Sequence, residues 1–250
     1  MRFAGATIII TGAAGGLGSA MAAAFAAEGG RVILLDLPSS PGEKVGEQIN
    51  QGGLRGGARF VPCDLADLDR TAAVIADIVA TDGVSVLVNN AAIYPSKAVS
   101  EYSIAEWQGV QRVNVDAAFV CAQAVLPGMR AAGSGRIVNI SSITFFGGLD
   151  RLVPYVTSKG ALVGLTRALA RECGADGITV NAVAPGAFPT AAEEIHPDRE
   201  GYNSYVLDQQ AVKRRGVPGD VASAVLFFSA PESSFITGQL LCVDGGCIMH

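Results

Sequence analysis

Histidine and lysine are scarce in this 250-residue chain, with two of the first and four of the second. Neither His196 nor His250 stands in a recognisable order with an aspartate and a serine, which sets aside serine-hydrolase chemistry. Two histidines are also too few for a histidine-built metal centre, and no metal is expected. The five cysteines (63, 121, 173, 242 and 247) form no C-x-x-C pair, and their number is odd. No export signal precedes residues 7–11, which already read as a strand. The cysteines are therefore read as reduced, mostly buried thiols of a cytoplasmic protein. Long apolar runs are missing as well: 21–27 and 72–80 are the richest, well short of the ~18 residues a membrane span requires.

Positive charge is in deficit, with 18 basic against 23 acidic residues. A nucleic-acid surface needs clustered Lys and Arg to displace counterions, so no nucleic-acid partner is expected. What the chain has in quantity is apolar residues, at 50%. That is enough to build a core without disulfide or metal staples.

Short β-branched runs alternate with Ala-rich stretches of helical length throughout. Strands are predicted at 7–10, 31–35, 58–61, 84–88, 136–140, 178–183 and 239–243. Helices are predicted near 18–28, 41–51, 67–81, 104–132, 155–173 and 219–229. Seven strands with helices between them predict an α/β fold, a Rossmann-type doubly wound parallel sheet with helices on both faces. No linker divides the chain, so 1–250 reads as a single domain. The longest stretch without a strand, between Pro185 and Pro218, is expected to be a mobile lid over a substrate at about 186–217.

Three local signals carry chemistry. Thr11-Gly12-Ala13-Ala14-Gly15-Gly16-Leu17-Gly18 falls where the first strand gives way to a helix. Glycines there let the backbone approach a pyrophosphate seated on the helix N-terminal amides. Asp36 ends the second strand, where a carboxylate accepts the adenosine ribose hydroxyls and repels a 2′-phosphate. No Arg or Lys occurs in Leu37-Pro38-Ser39, which favours NAD over NADP; the plain alternative is that Asp36 starts a turn before Pro38. Tyr155 and Lys159, four residues apart, share one helix face. Five tyrosines and four lysines predict only ~0.08 such pairs by chance. A neighbouring ammonium is expected to pull the phenol down from its usual pKa toward a working base. Ser142, thirteen residues earlier, ends the fifth strand; read alone it is a cap or turn serine.

These marks, with Asp64, Asn89-Asn90-Ala91-Ala92, Asn114, Pro185-Gly186 and Asp244-Gly245-Gly246, occur in the order and spacing of the short-chain dehydrogenase/reductase family. The resemblance runs from residue 11 to 246. It implies catalytic roles for Asn114 (supporting a proton-relay water), Ser142 (polarising the reacting oxygen), Tyr155 (acid/base) and Lys159 (lowering the phenol pKa and holding the nicotinamide ribose). Gly12, Ala14, Gly16, Leu17 and Gly18 would hold the pyrophosphate. Asp36, Leu37, Asp64, Leu65, Asn90, Ala91 and Ala92 would surround the adenosine. Pro185, Gly186, Phe188 and Thr190 would surround the nicotinamide beside Tyr155 and Lys159. Ala92 departs from the family, which usually has Gly there.

The implied function is an NAD(H)-dependent interconversion of an alcohol and its ketone or aldehyde. A 3-oxoacyl-carrier-protein reductase is the alternative within the class, and an NAD(H)-sensing protein without turnover the alternative outside it. Tyr94, Thr144, Phe145 and Leu152, with Ile93 and Phe188, are expected to border an apolar or aromatic small-molecule substrate, although some of these aromatics could equally be core. The segment Thr144-Phe145-Phe146 and the C-terminus resemble members acting on aromatic alcohols such as pyridoxal or 1-phenylethanol. Arg151 reads as solvent-facing rather than as an anion anchor, and His250 as a frayed tail rather than a pocket residue. The resemblance also implies a homotetramer built on the helices near 104–132 and 155–173 and the C-terminal strand.

Overall fold

A computed structural model describes residues 1–190, 193 and 198–249. Its seven strands are β1 (Thr7–Thr11), β2 (Arg31–Asp36), β3 (Gly57–Pro62), β4 (Val86–Asn89), β5 (Gly135–Ile140), β6 (Ile178–Pro185) and β7 (Leu240–Val243). All pair in parallel, in the order β3-β2-β1-β4-β5-β6-β7. The fold is the Rossmann-like doubly wound sheet expected from the alternation of short apolar runs and helices.

Side chains on successive strand residues point to opposite faces, and both faces are covered. Ile8 and Ile10 of β1 join one buried cluster, with Phe25, Ile49 and Val225. These come from α1 (Gly16–Ala27), α2 (Gly42–Gln51) and α9 (Pro218–Ser229). Ile9 turns to the other cluster, with Ile75, Cys121 and Leu169. Those belong to α3 (Leu68–Asp82), α5 (Ala117–Ala132) and α7 (Val153–Cys173). This is why the strands show no polar alternation: every residue of β1, β4, β5 and β6 is buried.

Helix starts follow local chemistry. Asp67 accepts the Arg70 amide at 3.0 Å and opens α3. Ser103 and Glu106 cap each other's amides and open α4 (Ile104–Gln111), the reciprocal pattern that S-x-x-E encodes. The predicted helix over 104–132 is not regular throughout. Between α4 and α5, residues Arg112–Asp116 form a π-helical turn in which the Ala117 amide reaches back to the Arg112 carbonyl. Nothing in the periodicity announced it. The structure also adds a four-residue helix, α6 (Thr144–Gly147), after β5, and α8 (Arg199–Gln209) within the long strandless stretch. Among the described residues, no helix is long and apolar enough to cross a membrane.

The strand order reverses direction beside β1, so the turns after β1 and β4 splay apart and open a crevice. The turn after β1 is very tight. Gly12 has φ +62, and a Cβ on Gly18 would lie 2.2 Å from the Gly12 carbonyl oxygen and 2.8 Å from Ala13 Cα. Both are backbone atoms that cannot step aside. Gly18→Val is expected to destabilise the protein by about 3 kcal/mol, lowering Tm by roughly 6–12 °C. Thermal unfolding checks this, and an unchanged Tm would show that the turn is not so rigidly packed.

Candidate active site

A cleft of about 610 Å³ lies at the C-terminal ends of the strands. The Gly-rich turn forms its floor. Asn90 ties that turn to β4, its side-chain amide donating to the Thr11 and Gly12 carbonyls at 2.8 and 3.0 Å. Helix α1 begins at Gly16 without a side-chain cap, leaving its first amides open toward the cleft, where the helix dipole favours an anion. At one end stands Asp36, its carboxylate accepting the Ala14 amide at 2.8 Å and the Leu37 amide at 2.7 Å. Asp64 also lines this region, held by the Ala66 amide at 2.9 Å.

The other end holds Ser142, Tyr155 and Lys159. Ser142 is set just past β5, and α7 carries Tyr155 and Lys159 one turn apart. Lys159 is 2% exposed, donates to the Ile140 carbonyl at 2.7 Å, and lies 5.5 Å from the centroid of the Tyr155 ring. Burial pulls its ammonium pKa down to about 7. Tyr155 moves in the opposite sense from the one expected of a lysine neighbour. Its burial pushes the phenol up, the hydrogen bond with Ser142 opposes this, and nearby Tyr94 adds to the rise. The expectation of a depressed phenol took the ammonium as the ruling influence. Burial rules instead, and Lys159 is not among the causes of the shift.

Asn114 sits on the π-helical turn, 1% exposed. Its amide donates to the Ile93 carbonyl and to Ser158 Oγ, both at 3.0 Å, and its carbonyl accepts the Ile93 amide at 2.8 Å. It does not reach the cleft wall. It stands behind it, on a cavity of only about 10 Å³ shared with Thr11 and Asn89, and braces the Ile93 backbone.

The cleft brings together every other residue singled out above for catalysis or cofactor binding: Gly12, Ala14, Gly16, Leu17, Gly18, Asp36, Leu37, Asp64, Leu65, Asn90, Ala91, Ala92, Ser142, Tyr155, Lys159, Pro185, Gly186, Phe188 and Thr190. Tyr94, Thr144 and Leu152 line it too. Phe145 does not: its ring packs on Phe146, centroids 4.1 Å apart, and it lies against α7 near Gly160. Arg151 is outside the cleft, 3.8 Å from Glu101 at the surface, and has φ +64. His250 lies outside the described residues, as do 191–192 and 194–197 of the lid segment.

Sequence reasoning missed Ser40, Cys63, Leu149, Glu193 and Tyr202 as lining residues. The last two come from the strandless stretch, where no periodicity marks which side chain turns inward. Glu193 pairs with Arg215, whose guanidinium also lies 5.9 Å from the Tyr202 ring centroid.

The donor set suits a dinucleotide: open helix amides for a pyrophosphate, a carboxylate for ribose hydroxyls, and a buried cation beside a phenol at the far end. A family model described as enoyl-(acyl carrier protein) reductase matches residues 12–248. The short-chain reductase protein NovJ of Streptomyces niveus is 38% identical over 95% of this chain and 92% of its own length. The D-xylose 1-dehydrogenase of Caulobacter vibrioides is 36% identical over 97% and 95%. A crystal structure from Beutenbergia cavernae, provisionally assigned as an NAD(P)-dependent gluconate 5-dehydrogenase and holding NADP at low occupancy, superposes with a TM-score of 0.92 at 40% identity. It covers 98% of this chain and 97% of its own.

Proposed function

The chain belongs to the short-chain dehydrogenase/reductase family, and from that premise we propose that it is an NAD(H)-dependent enzyme interconverting an alcohol and its ketone or aldehyde. Members of the family are oxidoreductases that use a nicotinamide cofactor. The observation that carries the reading is the meeting of Ser142, Tyr155 and Lys159 at one end of a cleft whose other end is Asp36.

When bound, the nicotinamide supplies or accepts the hydride. The chain's own residues handle the proton and the geometry. Tyr155 Oη takes the hydroxyl proton in oxidation and returns it in reduction. Ser142 donates a hydrogen bond to the reacting oxygen, and Lys159, while it holds its proton, places a positive charge beneath the phenol as negative charge develops there. Asn114 acts from behind the wall, through the backbone it braces. Gly12, Ala14, Gly16, Leu17 and Gly18 would hold the pyrophosphate, with the adenosine among Asp36, Leu37, Asp64, Leu65, Asn90, Ala91 and Ala92. Pro185, Gly186, Phe188 and Thr190 would enclose the nicotinamide.

NAD is favoured over NADP by charge. Asp36 and Asp64 line the adenosine end, and among the described residues lining the cleft Lys159 is the only cation, at the far end. A 2′-phosphate at Asp36 would meet a carboxylate with no cation beside it among the described lining residues. The NADP in the Beutenbergia cavernae structure weighs the other way, so the two cofactors are to be compared directly. Asp36→Asn should shift the NAD-to-NADP ratio of kcat/KM about a hundredfold toward NADP. A wild-type preference for NADP would overturn the assignment.

The substrate end is walled by Ile93, Tyr94, Leu149, Leu152 and Phe188, which supports an apolar or aromatic alcohol. Initial rates of NADH formation on benzylic, aliphatic and sugar alcohols test it. Turnover confined to sugars would reject the apolar substrate and leave the dehydrogenase standing. Silence on the whole panel, and on the matching ketones and aldehydes with NADH, would reject the dehydrogenase.

The chain is proposed to work as one domain in the cytoplasm, with 186–217 covering the substrate. Exposed Phe119 on α5, and Phe227, Phe235 and Leu241 near β7, support the homotetramer that the family resemblance implies; light scattering measures it.

A further inference from the structure

We propose that Thr144 is a positioning residue that locks the Ser142 hydroxyl into the donor orientation catalysis needs. This rests on the dehydrogenase reading above and adds a residue to it.

A serine hydroxyl has one proton to donate and two lone pairs to accept with. Left to itself it spins among three rotamers, and only some of them present the proton to a substrate oxygen. At Ser142 both lone pairs are engaged by one residue. The Thr144 amide donates to Ser142 Oγ at 3.2 Å, and Thr144 Oγ1 donates to the same atom at 3.0 Å. With its accepting capacity filled, Ser142 can place its own proton only outward, toward the cleft that it lines together with Tyr155. The amide arm is available because α6 starts at Thr144, directly after β5 has delivered Ser142. The hydroxyl arm depends on the side chain. Valine has the same shape without a donor, and serine keeps the donor without the methyl.

Thr144 therefore acts through Ser142 rather than on the substrate. Removing its hydroxyl leaves Ser142 Oγ with a free lone pair. The Ser142 proton is then no longer confined to the cleft side, where Tyr155 and the reacting oxygen lie, and the phenolate loses part of the stabilisation that Ser142 gives it.

Two readouts test this, and one does not depend on turnover. The first is steady-state kinetics of wild type, Thr144→Val and Thr144→Ser across pH. Thr144→Val is expected to lower kcat about tenfold, the worth of one neutral hydrogen bond. KM for the cofactor should stay unchanged, and the pH at which oxidation reaches half its maximal rate should move upward. Thr144→Ser should restore both. The second is titration of Tyr155 in the cofactor-free protein by NMR of 13Cζ-labelled tyrosine, with the resonance assigned by its loss in Tyr155→Phe. The Tyr155 midpoint should rise in Thr144→Val and return in Thr144→Ser. A Tyr155 midpoint that is the same in Thr144→Val as in wild type overturns the proposal, as does a Thr144→Ser variant no better than Thr144→Val. If the midpoint moves as expected but no alcohol is oxidised by the wild type, the positioning role stands and the dehydrogenase reading fails.

Discussion

Tyr155→Phe is expected to lower kcat by about 10³-fold while changing the Kd for NADH less than threefold. The substitution removes one oxygen and keeps the ring, whose edge-to-face packing on Tyr94 (centroids 6.0 Å apart) does not depend on it. What disappears is the proton carrier. Hydride transfer would then leave an alkoxide with no proton donor or a protonated carbonyl with no proton acceptor, and the barrier rises by the lost stabilisation. Because burial pushes the Tyr155 phenol above its ordinary value, the wild-type residue is protonated at neutral pH. It is thus poised as an acid for carbonyl reduction. Alcohol oxidation, which needs the phenolate, should accelerate as pH rises toward 10, and this dependence should vanish in Tyr155→Phe. Stopped-flow and fluorescence titration measure the two constants. Loss of cofactor binding together with turnover would contradict the role given to the hydroxyl.

Lys159→Met should do two opposite things: abolish turnover by at least a hundredfold and raise the stability of the cofactor-free protein at pH 7. The ammonium is buried, bonded to one carbonyl, and shifted by desolvation alone, with no carboxylate among the causes. In the unfolded chain its pKa is 10.5, in the folded one about 7. Below about pH 7 both states hold the proton and folding bears the whole penalty of burying a charge. Between about 7 and 10.5 the folded state sheds the proton first, so this residue's contribution to stability grows more favourable as pH rises. Methionine fills similar space without charge. The gain at pH 7 is on the order of 2 kcal/mol after the loss of the Ile140 hydrogen bond, and it should shrink as pH approaches 10. Urea unfolding at the two pH values measures it. A less stable Lys159→Met at pH 7 would mean that Lys159 is not a strained group retained for function.

Much of this protein was legible in its sequence because the relevant signals are local. Continuous apolar runs mark strands buried on both faces, and the Gly-rich turn, Asp36 and the Tyr155/Lys159 pair each lie within one element or one turn. Phe145 shows where such reading stops. It neighbours a cleft residue, Thr144, yet a helical residue's direction is set by its place around the axis, and α6 turns Phe145 toward Phe146 and α7 instead. Asn114 shows another limit. Its family position was readable, but the π-helical turn that carries it has no periodic signature, and its hydrogen bonds to Ile93 and Ser158 join residues distant in sequence.

The sequence by itself determined the strands, the helices between them and most of the residues that meet at the strand ends, since these follow from patterns shorter than one element, and it determined the family through the order and spacing of those patterns. Only the tertiary structure decided the electrostatics of the site and its outer wall. Whether Lys159 lowers the Tyr155 phenol, or burial raises it, depends on how much solvent the surrounding strands exclude. Which of the residues beyond Pro185 turn inward, as Glu193 and Tyr202 do, depends on contacts with parts of the chain distant in sequence. Desolvation and long-range packing are properties of the assembled fold, and no local run of residues encodes them.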